Sequence, residues 1–238
     1  MAEKPRFYDA TVSKIVSLST TVKHFVLDYP SDADTRFIAG QFMMVHLEKD
    51  GAPHKKPYSI ASSPSLAGRI ELSIKLVEGG YVSTWFFKLK EGDVIRTSLP
   101  YGVFHLKEPF APHMVFVGTG TGIAPLRSMI KNLYERGCKS KIDLIFGNRY
   151  ETDVLYKDEW EELARKHSTF RFIPTVSRPK DWKGETAYVQ EIVKREYAGK
   201  TEGVSFFGCG LVPMCKELKA ALLEMNVPKE RIHFEQFT

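Results

Sequence analysis

The hydrophobic and polar positions of the first 107 residues form short β-prone runs that turn residues separate. Apolar and polar side chains alternate within these runs, as they do in strands that bury one face. A helix at STWFFKLK, just after Gly79-Gly80, is predicted to interrupt the series. The strand candidates are FYDATVSKIVSL, TVKHFVLDYP, GQFMMVHLE, RIELSIKLV and GDVIRTSLP. Short strands at this spacing predict an antiparallel barrel or sandwich.

From about residue 113 the pattern changes to apolar runs that alternate with amphipathic segments. HMVFVG is continuously apolar, like a strand that is buried on both faces. GIAPLRSMIKNLYERG places Ile123, Leu126, Ile130 and Leu133 on one helical face, and Gly137 is a helix-stop signal. The later strand candidates are KIDLIFG, FRFIPTV and GVSFFG, and the later helix candidates are YKDEWEELARKH, TAYVQEIVKREY and PMCKELKAALLEM. This alternation predicts a doubly wound parallel α/β sheet.

The segment KEPFAPH, residues 107–113, lies between the two patterns and carries two prolines. We interpret it as a linker, because the composition changes on either side of it. The sequence therefore predicts two domains, residues 1–107 and residues 108–238. No internal repeat or low-complexity tract is visible.

The composition narrows the class of protein. With 43% hydrophobic and 26% charged residues among 238, it is typical of a soluble globular chain. No apolar run is as long as a membrane span, and MAEKPRFYDA lacks the apolar core of a secretory signal. The three cysteines, Cys138, Cys209 and Cys215, form no C-x-x-C pair. We therefore expect a cytoplasmic protein without a disulfide scaffold, an iron–sulfur cluster or a metal site.

The net charge of +5 is spread along the chain and forms no basic tail or arm. Nucleic-acid binding is therefore not predicted. A mild positive balance suits an anionic ligand or an acidic protein partner.

The segment VGTGTGIAP, residues 117–125, follows an apolar strand and opens a helix, with Pro125 in the first turn. Glycines at 118, 120 and 122 let backbone N–H groups approach a phosphate, which the helix N-terminus also favours. This context predicts a dinucleotide site. A tight strand-to-helix turn without a ligand is the alternative.

The glycine spacing is G-x-G-x-G and not the G-x-G-x-x-G of Rossmann dehydrogenases. No residue matches well the acid that would hold the ribose about 20 positions later, because the next strand candidate ends in Gly147-Asn148-Arg149 and Asp143 is predicted inside it. A related doubly wound fold with a different ribose site fits these residues better.

Four motifs occur in the order seen in the ferredoxin–NADP reductase superfamily, which the whole chain resembles. They are KPYSIAS at 56–62, GGYVS at 79–83, GTGTGIAP at 118–125 and CGLVPM at 209–214. AGQF at 39–42, PYGVF at 100–104 and the ending FEQFT support the match. The resemblance implies a six-stranded antiparallel flavin barrel over 1–107, followed by an α/β domain for NADH or NADPH over 108–238. It implies FAD as the flavin, with FMN as the alternative.

The resemblance assigns the first flavin motif residue by residue. Lys56 is expected at the flavin phosphate, Pro57 fixes the backbone, Tyr58 packs against the isoalloxazine and Ser59 lies near N5. The family pattern has arginine where this chain has Lys56, so the phosphate contact is expected to be less directional. For Tyr58 alone, the alternative is an ordinary half-buried strand tyrosine.

The second flavin motif assigns cofactor contacts to Gly80, Val82 and Ser83. Gly80 is expected to permit close backbone approach, and Ser83 to cap a helix whose first amides face the pyrophosphate. The alternative is a plain N-cap after a glycine turn.

The resemblance also assigns the nicotinamide nucleotide contacts. They are Gly118, Thr119, Gly120, Gly122, Ile123, Pro125, Ser177, Arg178, Tyr188, Cys209, Gly210 and Met214. Ser177 and Arg178 would hold a 2′-phosphate and Tyr188 would stack on adenine. Relatives that use NADPH often carry a second arginine where this chain has Thr186, so NADH and NADPH both stay open. An exposed loop arginine is the alternative for Arg178.

Three residues are expected near the reacting atoms. Cys209 would shape the approach of nicotinamide to flavin, Glu235 would relay a proton and Phe237 would cover the flavin ring. The alternatives are an inert core cysteine and a final edge strand with a solvated glutamate.

The resemblance implies hydride transfer from NAD(P)H to FAD, followed by electron transfer to a separate acceptor such as an acidic ferredoxin or flavodoxin. One alternative is a reductase of small acceptors, namely ferric complexes, quinones or free flavin. Another is a non-catalytic electron-transfer subunit or a ligand-sensing module.

Overall fold

The computed structural model describes residues 5–237; residues 1–4 and Thr238, which ends the FEQFT motif, lie outside them. The chain forms two compact units. The first, the barrel unit, holds the chain up to Leu106 together with Arg127–Arg136. The second, the nucleotide unit, holds Lys107–Leu126 and the chain from Gly137 onward.

The barrel unit contains one six-stranded antiparallel sheet in the order β4-β3-β6-β1-β2-β5. Just beyond β4, the backbone of Ile60 pairs with Leu72 of β5 and links the two edges of the sheet. This confirms the predicted antiparallel barrel. Its elements are β1 (Arg6–Ser17), β2 (Val22–Asp28), β3 (Phe42–Lys49), β4 (Ala52–Ser59), β5 (Arg69–Lys75), α1 (Tyr81–Lys88) and β6 (Val94–Tyr101).

Helix α1 packs into the core of the barrel through Val82 and Phe86. Phe86 is fully buried and its ring lies 5.2 Å from that of Phe25, in an edge-to-face arrangement. Full burial of such a side chain contributes about 2–3 kcal/mol. This packing holds α1, whose first residues belong to the GGYVS motif, against the core of the barrel.

The nucleotide unit contains a five-stranded parallel sheet in the order β11-β10-β7-β8-β9. Strand order reverses between β7 and β10, which is the switch point where doubly wound sheets bind ligands. The predicted doubly wound sheet is therefore confirmed. Its strands are β7 (His113–Thr119), β8 (Lys141–Asn148), β9 (Phe170–Val176), β10 (Val204–Leu211) and β11 (Ile232–Phe237).

Helices cover both faces of this sheet. Val189 and Leu218 pack with Val115 and Val117 on one face. Trp160 packs against Phe170 on the other. These helices are α3 (Lys157–Lys166), α4 (Val189–Tyr197) and α5 (Val212–Glu224). Helix α2 (Ile123–Glu135) begins in this unit, and its residues from Arg127 onward belong to the barrel unit.

The sequence-predicted elements agree with the structure apart from their ends. The helix predicted at STWFFKLK begins earlier, at Tyr81. Residues 107–112 of the predicted linker contain no helix or strand, whereas His113 already begins β7. None of the helices within residues 5–237 has the length and apolar run that crossing a bilayer requires.

A polar network occupies the amino edge of the parallel sheet, where the strands begin. Asp143 of β8 is fully buried and accepts hydrogen bonds from Nε2 of His113 at 2.8 Å, from the hydroxyl of Tyr197 and from Arg171 at 3.1 and 3.2 Å. Arg171 also donates to Glu196 at 2.8 Å. Burial alone would raise the pKa of Asp143, but these donors outweigh it and hold that pKa well below its usual range.

Candidate functional site

The first flavin motif lies on β4, an edge strand of the barrel sheet. Lys56 pairs with Val45, and Tyr58 pairs with Met43. An edge strand tolerates Pro57 because its missing N–H interrupts the ladder on one side only. The side-chain alternation of a strand places Lys56 and Tyr58 on the same face.

Tyr58 is half-buried, with its ring 5.0 Å from that of Phe86 in an edge-to-face contact. Burial raises the pKa of Tyr58 to about 12, so the phenol stays neutral at physiological pH. Phe86 therefore supports one side of a ring that is itself partly accessible. An aromatic surface held in this way suits stacking against a flavin.

The N-terminus of α1 is open to an anion. Gly80 is the N-cap, no side chain caps the helix, and no acidic residue lies in its first turn. The first N–H groups of a helix lack partners within the helix and attract negative charge.

The expected capping role of Ser83 is wrong, because the helix begins two residues before it. The Ser83 hydroxyl instead accepts a hydrogen bond from the Val77 N–H at 3.1 Å and lies 3.2 Å from the Gly80 carbonyl. Ser83 therefore fixes the turn that leads into α1. Its proposed contact with the cofactor stays a prediction.

Tyr81, which the sequence reasoning missed, ties the start of α1 to the β3–β4 hairpin. Its hydroxyl donates to the Glu48 carbonyl at 2.7 Å, and its ring meets His54 at 6.0 Å and Nζ of Lys49 at 5.2 Å. His54 shares its face of β4 with Lys56. The exposed Lys56 makes no ion pair within the described part of the chain. An unpaired cation and an uncapped helix N-terminus fit the phosphates of a flavin nucleotide.

Ser59 ends β4, and the segment that follows it is fixed by a buried cation. Arg127 is 5% exposed and donates to the Ala61 carbonyl at 2.8 Å and to the Glu71 carboxylate at 2.6 Å. Burial alone would raise the pKa of Glu71, but Arg127 outweighs it and lowers that pKa. The sequence reasoning missed Arg127, although a single arginine in the apolar helix GIAPLRSMI was a signal.

The glycine-rich loop fits against the end of β10. Residues Gly120–Gly122 form a single 3-10 turn, and Gly120 has φ +53°. A Cβ atom at Gly122 would overlap the carbonyl of Cys209, and one at Gly210 would overlap the Thr119 hydroxyl. The structure therefore brings together the loop and the Cys209-Gly210 pair at the switch point. Ile123 and Pro125 are buried at the start of α2, and Met214 approaches Gly210.

The carboxyl edge of the parallel sheet, where the strands end, carries buried polar atoms without partners. Oγ1 of Thr119 and both side-chain amide atoms of Asn148 accept or donate no hydrogen bond to residues 5–237. Buried polar atoms normally have a partner in a folded protein or its complex. The unpaired atoms lie at the ends of β7 and β8, beside the glycine-rich loop, and fit a bound dinucleotide.

Cys209 is fully buried, and burial raises its pKa well above the usual value, with Glu235 and Cys215 adding to the effect. The thiol is therefore neutral and is not a nucleophile. Cys209 lies beside Glu235 of β11 in the parallel register, so these two predicted residues are brought together. Cys215 is also buried and lies 3.6 Å from the Glu235 carbonyl.

Phe237 is the last described residue and ends β11, the edge strand beside β10. Both Glu235 and Phe237 are half-buried. The final edge strand is therefore present. The proton-relay and ring-covering roles stay predictions.

The three predicted adenosine contacts lie near the ends of β8 and β9. The Ser177 N–H donates to the Asn148 carbonyl at 3.0 Å, and the Arg178 N–H donates to the Arg149 carbonyl at 2.9 Å. Arg149 and Arg178 both have exposed side chains, and Tyr188 is 61% exposed at the start of α4. Arg149 is a second cation at this edge, which the sequence reasoning did not assign.

Two family models match the chain. The oxidoreductase FAD-binding domain matches residues 9–106, and the oxidoreductase NAD-binding domain matches residues 116–220. Ferredoxin–NADP reductase B of Sorangium cellulosum is 34% identical over 240 residues, which cover 97% of this chain and 97% of that protein. The reductase component of phenol 2-monooxygenase from a Pseudomonas species is 33% identical over 97% of this chain, which spans 65% of that protein.

Solved structures give the same fold. The cytochrome P450 reductase of Amycolatopsis superposes with a TM-score of 0.91 and 27% identity, over 100% of this chain and 71% of that one. A ferredoxin–NADP⁺ reductase of Neisseria gonorrhoeae, with bound FAD and NADP, superposes with a TM-score of 0.85 and 23% identity, over 97% of this chain and 98% of that one.

Proposed function

Since the chain belongs to the ferredoxin–NADP reductase superfamily and is an FAD-dependent NAD(P)H oxidoreductase with a separate electron acceptor, we propose that this acceptor is a small acidic redox protein. The two flavin motifs would hold the FAD, which when bound would supply a hydride acceptor for the nicotinamide and an electron donor for the acceptor. A ferredoxin or a flavodoxin has the required chemistry. We also propose a cytoplasmic location, with a flavin domain over residues 1–107 and a nicotinamide nucleotide domain over 108–238.

The choice of a separate acidic acceptor rests on the match to a ferredoxin–NADP reductase, with the cysteine pattern and the net charge in support. The match to ferredoxin–NADP reductase B of Sorangium cellulosum, which extends over 97% of both proteins, favours an acceptor that is a separate redox protein. The three cysteines of this chain form no cluster-binding pattern. Electrons therefore leave for another molecule, and a net charge of +5 favours the encounter with an acidic one.

On the flavin side, each residue has a proposed task. Lys56 and the first amides of α1, around Gly80 and Val82, bind the phosphates. Tyr58, supported from behind by Phe86, packs against the ring and excludes water. Ser59 offers its hydroxyl at N5, where it can donate or accept a hydrogen bond as protonation changes. Pro57 and Ser83 fix the backbone of the two motifs.

On the nucleotide side, the glycine-rich loop binds the pyrophosphate. The neutral Cys209 thiol and Gly210 shape the space for the nicotinamide, and Glu235 moves a proton at that end. Phe237 covers the flavin ring in the absence of nucleotide. Ser177, Arg178 and Tyr188 bind the adenosine end.

The salt dependence of turnover tests the acceptor. With a ferredoxin or flavodoxin as acceptor, kcat/KM is expected to fall at least tenfold as ionic strength rises from about 0.01 to 0.5 M, because salt screens steering between opposite charges. Ferricyanide reduction by the same preparation gives the control for hydride transfer. Efficient turnover of quinones, ferric complexes or free flavin, with no acidic protein reduced, would contradict the proposal.

An oxygenase component is a second candidate acceptor. It is favoured by the 33% identity to the reductase component of phenol 2-monooxygenase and by the TM-score of 0.91 to a cytochrome P450 reductase. The chain spans only 65% and 71% of those two proteins. Reduction of an oxygenase in the same assay, without any contribution from added ferredoxin, would favour this candidate.

The role of Ser59 has its own test. Ser59→Ala is expected to slow flavin bleaching by NAD(P)H about tenfold or more, since one positioned hydrogen bond is lost. FAD affinity should stay within about twofold, because the hydroxyl is not proposed to bind the phosphates. Bleaching at the wild-type rate in anaerobic stopped-flow experiments would remove Ser59 from this role.

A further inference from the structure

We propose that the side chain of Asn148 binds the adenosine ribose of NAD(P)H and, because it is neutral, admits the 2′-phosphate of NADPH. The inference rests on the proposed nucleotide site and adds a residue to it. Asn148 is the last residue of β8 and is only 9% exposed. Neither its Oδ1 nor its Nδ2 has a hydrogen-bond partner among residues 5–237.

An unpaired buried amide destabilises a protein unless another molecule satisfies it. The carboxamide has one acceptor oxygen and a donor NH₂ group, so it can donate to one hydroxyl through Nδ2 and accept from a neighbouring hydroxyl through Oδ1. A ribose presents two such hydroxyls side by side. The pairing that Asn148 lacks within the protein is therefore the pairing that a ribose supplies.

The place of Asn148 in the sheet supports a ribose. In doubly wound sheets, an acidic residue after the second strand of the nucleotide-binding unit binds the ribose of the adenosine. Here β7 leads into the glycine-rich loop, and β8 is the next strand and its neighbour in the sheet. Thr119 pairs with Gly147, so Asn148 lies one position beyond the unpaired Thr119 hydroxyl. Asn148 thus occupies the end of the strand where an acid is absent from this sequence.

The surrounding backbone holds Asn148 in place. Its carbonyl accepts from the Ser177 N–H at 3.0 Å, and it is followed by Arg149, whose carbonyl accepts from the Arg178 N–H at 2.9 Å. The side chains of both arginines are exposed at this edge. A carboxylate at 148 would repel a 2′-phosphate, whereas an amide between these cations does not.

Two substitutions of Asn148 test separately its contact with the ribose and its effect on the preference between NADP⁺ and NAD⁺. In the FAD-loaded protein, Asn148→Asp is expected to weaken NADP⁺ binding at least tenfold and NAD⁺ binding less than threefold. Asn148→Leu removes both polar atoms and should weaken both nucleotides about tenfold. Isothermal titration with NADP⁺ and NAD⁺ measures both effects, and retention of FAD checks that each variant is folded.

Ser128→Ala is the matched control. Ser128 is also fully buried, and its hydroxyl has no partner among residues 5–237, but it lies inside α2 and not at the end of a strand. Its loss should leave both nucleotide affinities within twofold of the wild type.

These measurements distinguish a failure of the Asn148 contact from a failure of nucleotide binding as a whole. If the wild type binds nucleotide and both Asn148 variants bind NADP⁺ and NAD⁺ as it does, the ribose contact is overturned and ordered water satisfies the amide. An equal loss for both nucleotides in Asn148→Asp overturns the selectivity. A wild-type protein that binds neither nucleotide overturns the proposed function and this inference with it.

Discussion

The two edges of the parallel sheet use buried polar side chains in opposite ways. At the amino edge, Asp143 is surrounded by donors from His113, Tyr197 and Arg171. At the carboxyl edge, Thr119 and Asn148 hold buried polar atoms that lack partners within residues 5–237. The polar groups of the first edge are paired within the protein, and we propose that a bound nucleotide pairs with those of the second.

The difference separates buried groups that stabilise the folded sheet from buried groups that contribute to ligand binding. When a buried charge has all its hydrogen-bond and ion-pair partners, removing one member of the network destabilises the protein, because the remaining charge is buried without its partner. An unpaired buried group instead destabilises the free protein, and a ligand that pairs with it recovers that free energy on binding. We therefore expect substitutions at the amino edge to change stability and those at the carboxyl edge to change affinity.

The barrel unit repeats the contrast with two cations. Arg127 is buried and paired with Glu71 and the Ala61 carbonyl. Lys56 is exposed and makes no ion pair in the described residues. By the same reasoning, Arg127 supports the fold and Lys56 is available to a phosphate.

The largest expected effect follows from Asp143→Asn. The change removes the negative charge that Arg171 pairs with and replaces one acceptor oxygen by an NH₂ group that faces other donors, which should lower the free energy of unfolding by about 3 kcal/mol or more. Nucleotide affinity should not change. Urea denaturation measures the loss, with Asp28→Asn as the control, since Asp28 pairs with Arg69 at the surface and should contribute about 1 kcal/mol or less. Equal losses in the two variants would contradict the special role of the amino edge.

Acid stability gives a second measurement on the same residue. The pKa of Asp143 is lowered in the folded protein, so its contribution is fully present above the unfolded value of about 4 and is lost as pH falls below it. The free energy of unfolding of the wild type should therefore fall more steeply below about pH 4 than that of Asp143→Asn. Parallel pH profiles for the two proteins would show that Asp143 does not supply this dependence.

Gly122→Ala tests the packing of the carboxyl edge. The added Cβ would overlap the Cys209 carbonyl, so the loop or the end of β10 must move. We expect nucleotide affinity to fall by more than about tenfold, since the pyrophosphate amides move with the loop.

Gly137→Ala is the control for backbone strain alone. Gly137 has φ +69°, no atom lies within 4 Å of an added Cβ, and it lies beyond the end of α2. It should cost about 1 kcal/mol of stability and leave nucleotide affinity unchanged. The same loss of affinity in both variants would contradict the steric account of Gly122.

Lys56 tests the contrast in the barrel. Lys56→Ala should weaken FAD binding about tenfold, because a charged contact to phosphate is lost. Lys56→Arg should bind FAD at least as tightly as the wild type, since a guanidinium binds phosphate with two hydrogen bonds. Lys55→Ala, a change at the neighbouring exposed lysine, is the control. Equal FAD affinity in the Lys55→Ala and Lys56→Ala variants, measured by flavin fluorescence, would remove the phosphate contact.

The smallest expected effect is that of Thr119→Val. The change keeps the shape of the side chain and removes a hydroxyl that has no hydrogen-bond partner in the described part of the chain. Stability should stay the same or rise by up to about 1 kcal/mol, while nucleotide affinity falls several-fold. A clear loss of thermal stability with unchanged nucleotide affinity would show that the Thr119 hydroxyl stabilises the fold and does not bind the nucleotide.

The sequence predicted the two sheets well because their information is local. Apolar runs, alternation and the glycine at 137 act over a few residues, and they gave the helices and most strands of both units. Strand β4 was not among the candidates, because its residues HKKP show no alternation of apolar and polar side chains. The error at Ser83 is a matter of position: the helix begins at Tyr81, so the hydroxyl lies inside it and fixes the preceding turn.

The contacts that sequence reasoning missed depend on distant partners. Arg127 meets Glu71, and Tyr81 meets the Glu48 carbonyl, in each case across many residues of chain. The unpaired state of Asn148 could not be predicted either, since it is defined by what surrounds the side chain in the folded sheet.

Anaerobic reduction of the purified protein tests whether electrons pass from NAD(P)H through FAD to an acidic redox protein. When the protein is reconstituted with FAD, we expect stoichiometric flavin uptake and rapid bleaching of the flavin absorption by NADPH or NADH. Addition of an oxidised acidic ferredoxin or flavodoxin should then restore the colour. A protein that takes up no flavin, or whose bound flavin neither nucleotide reduces, would contradict the account.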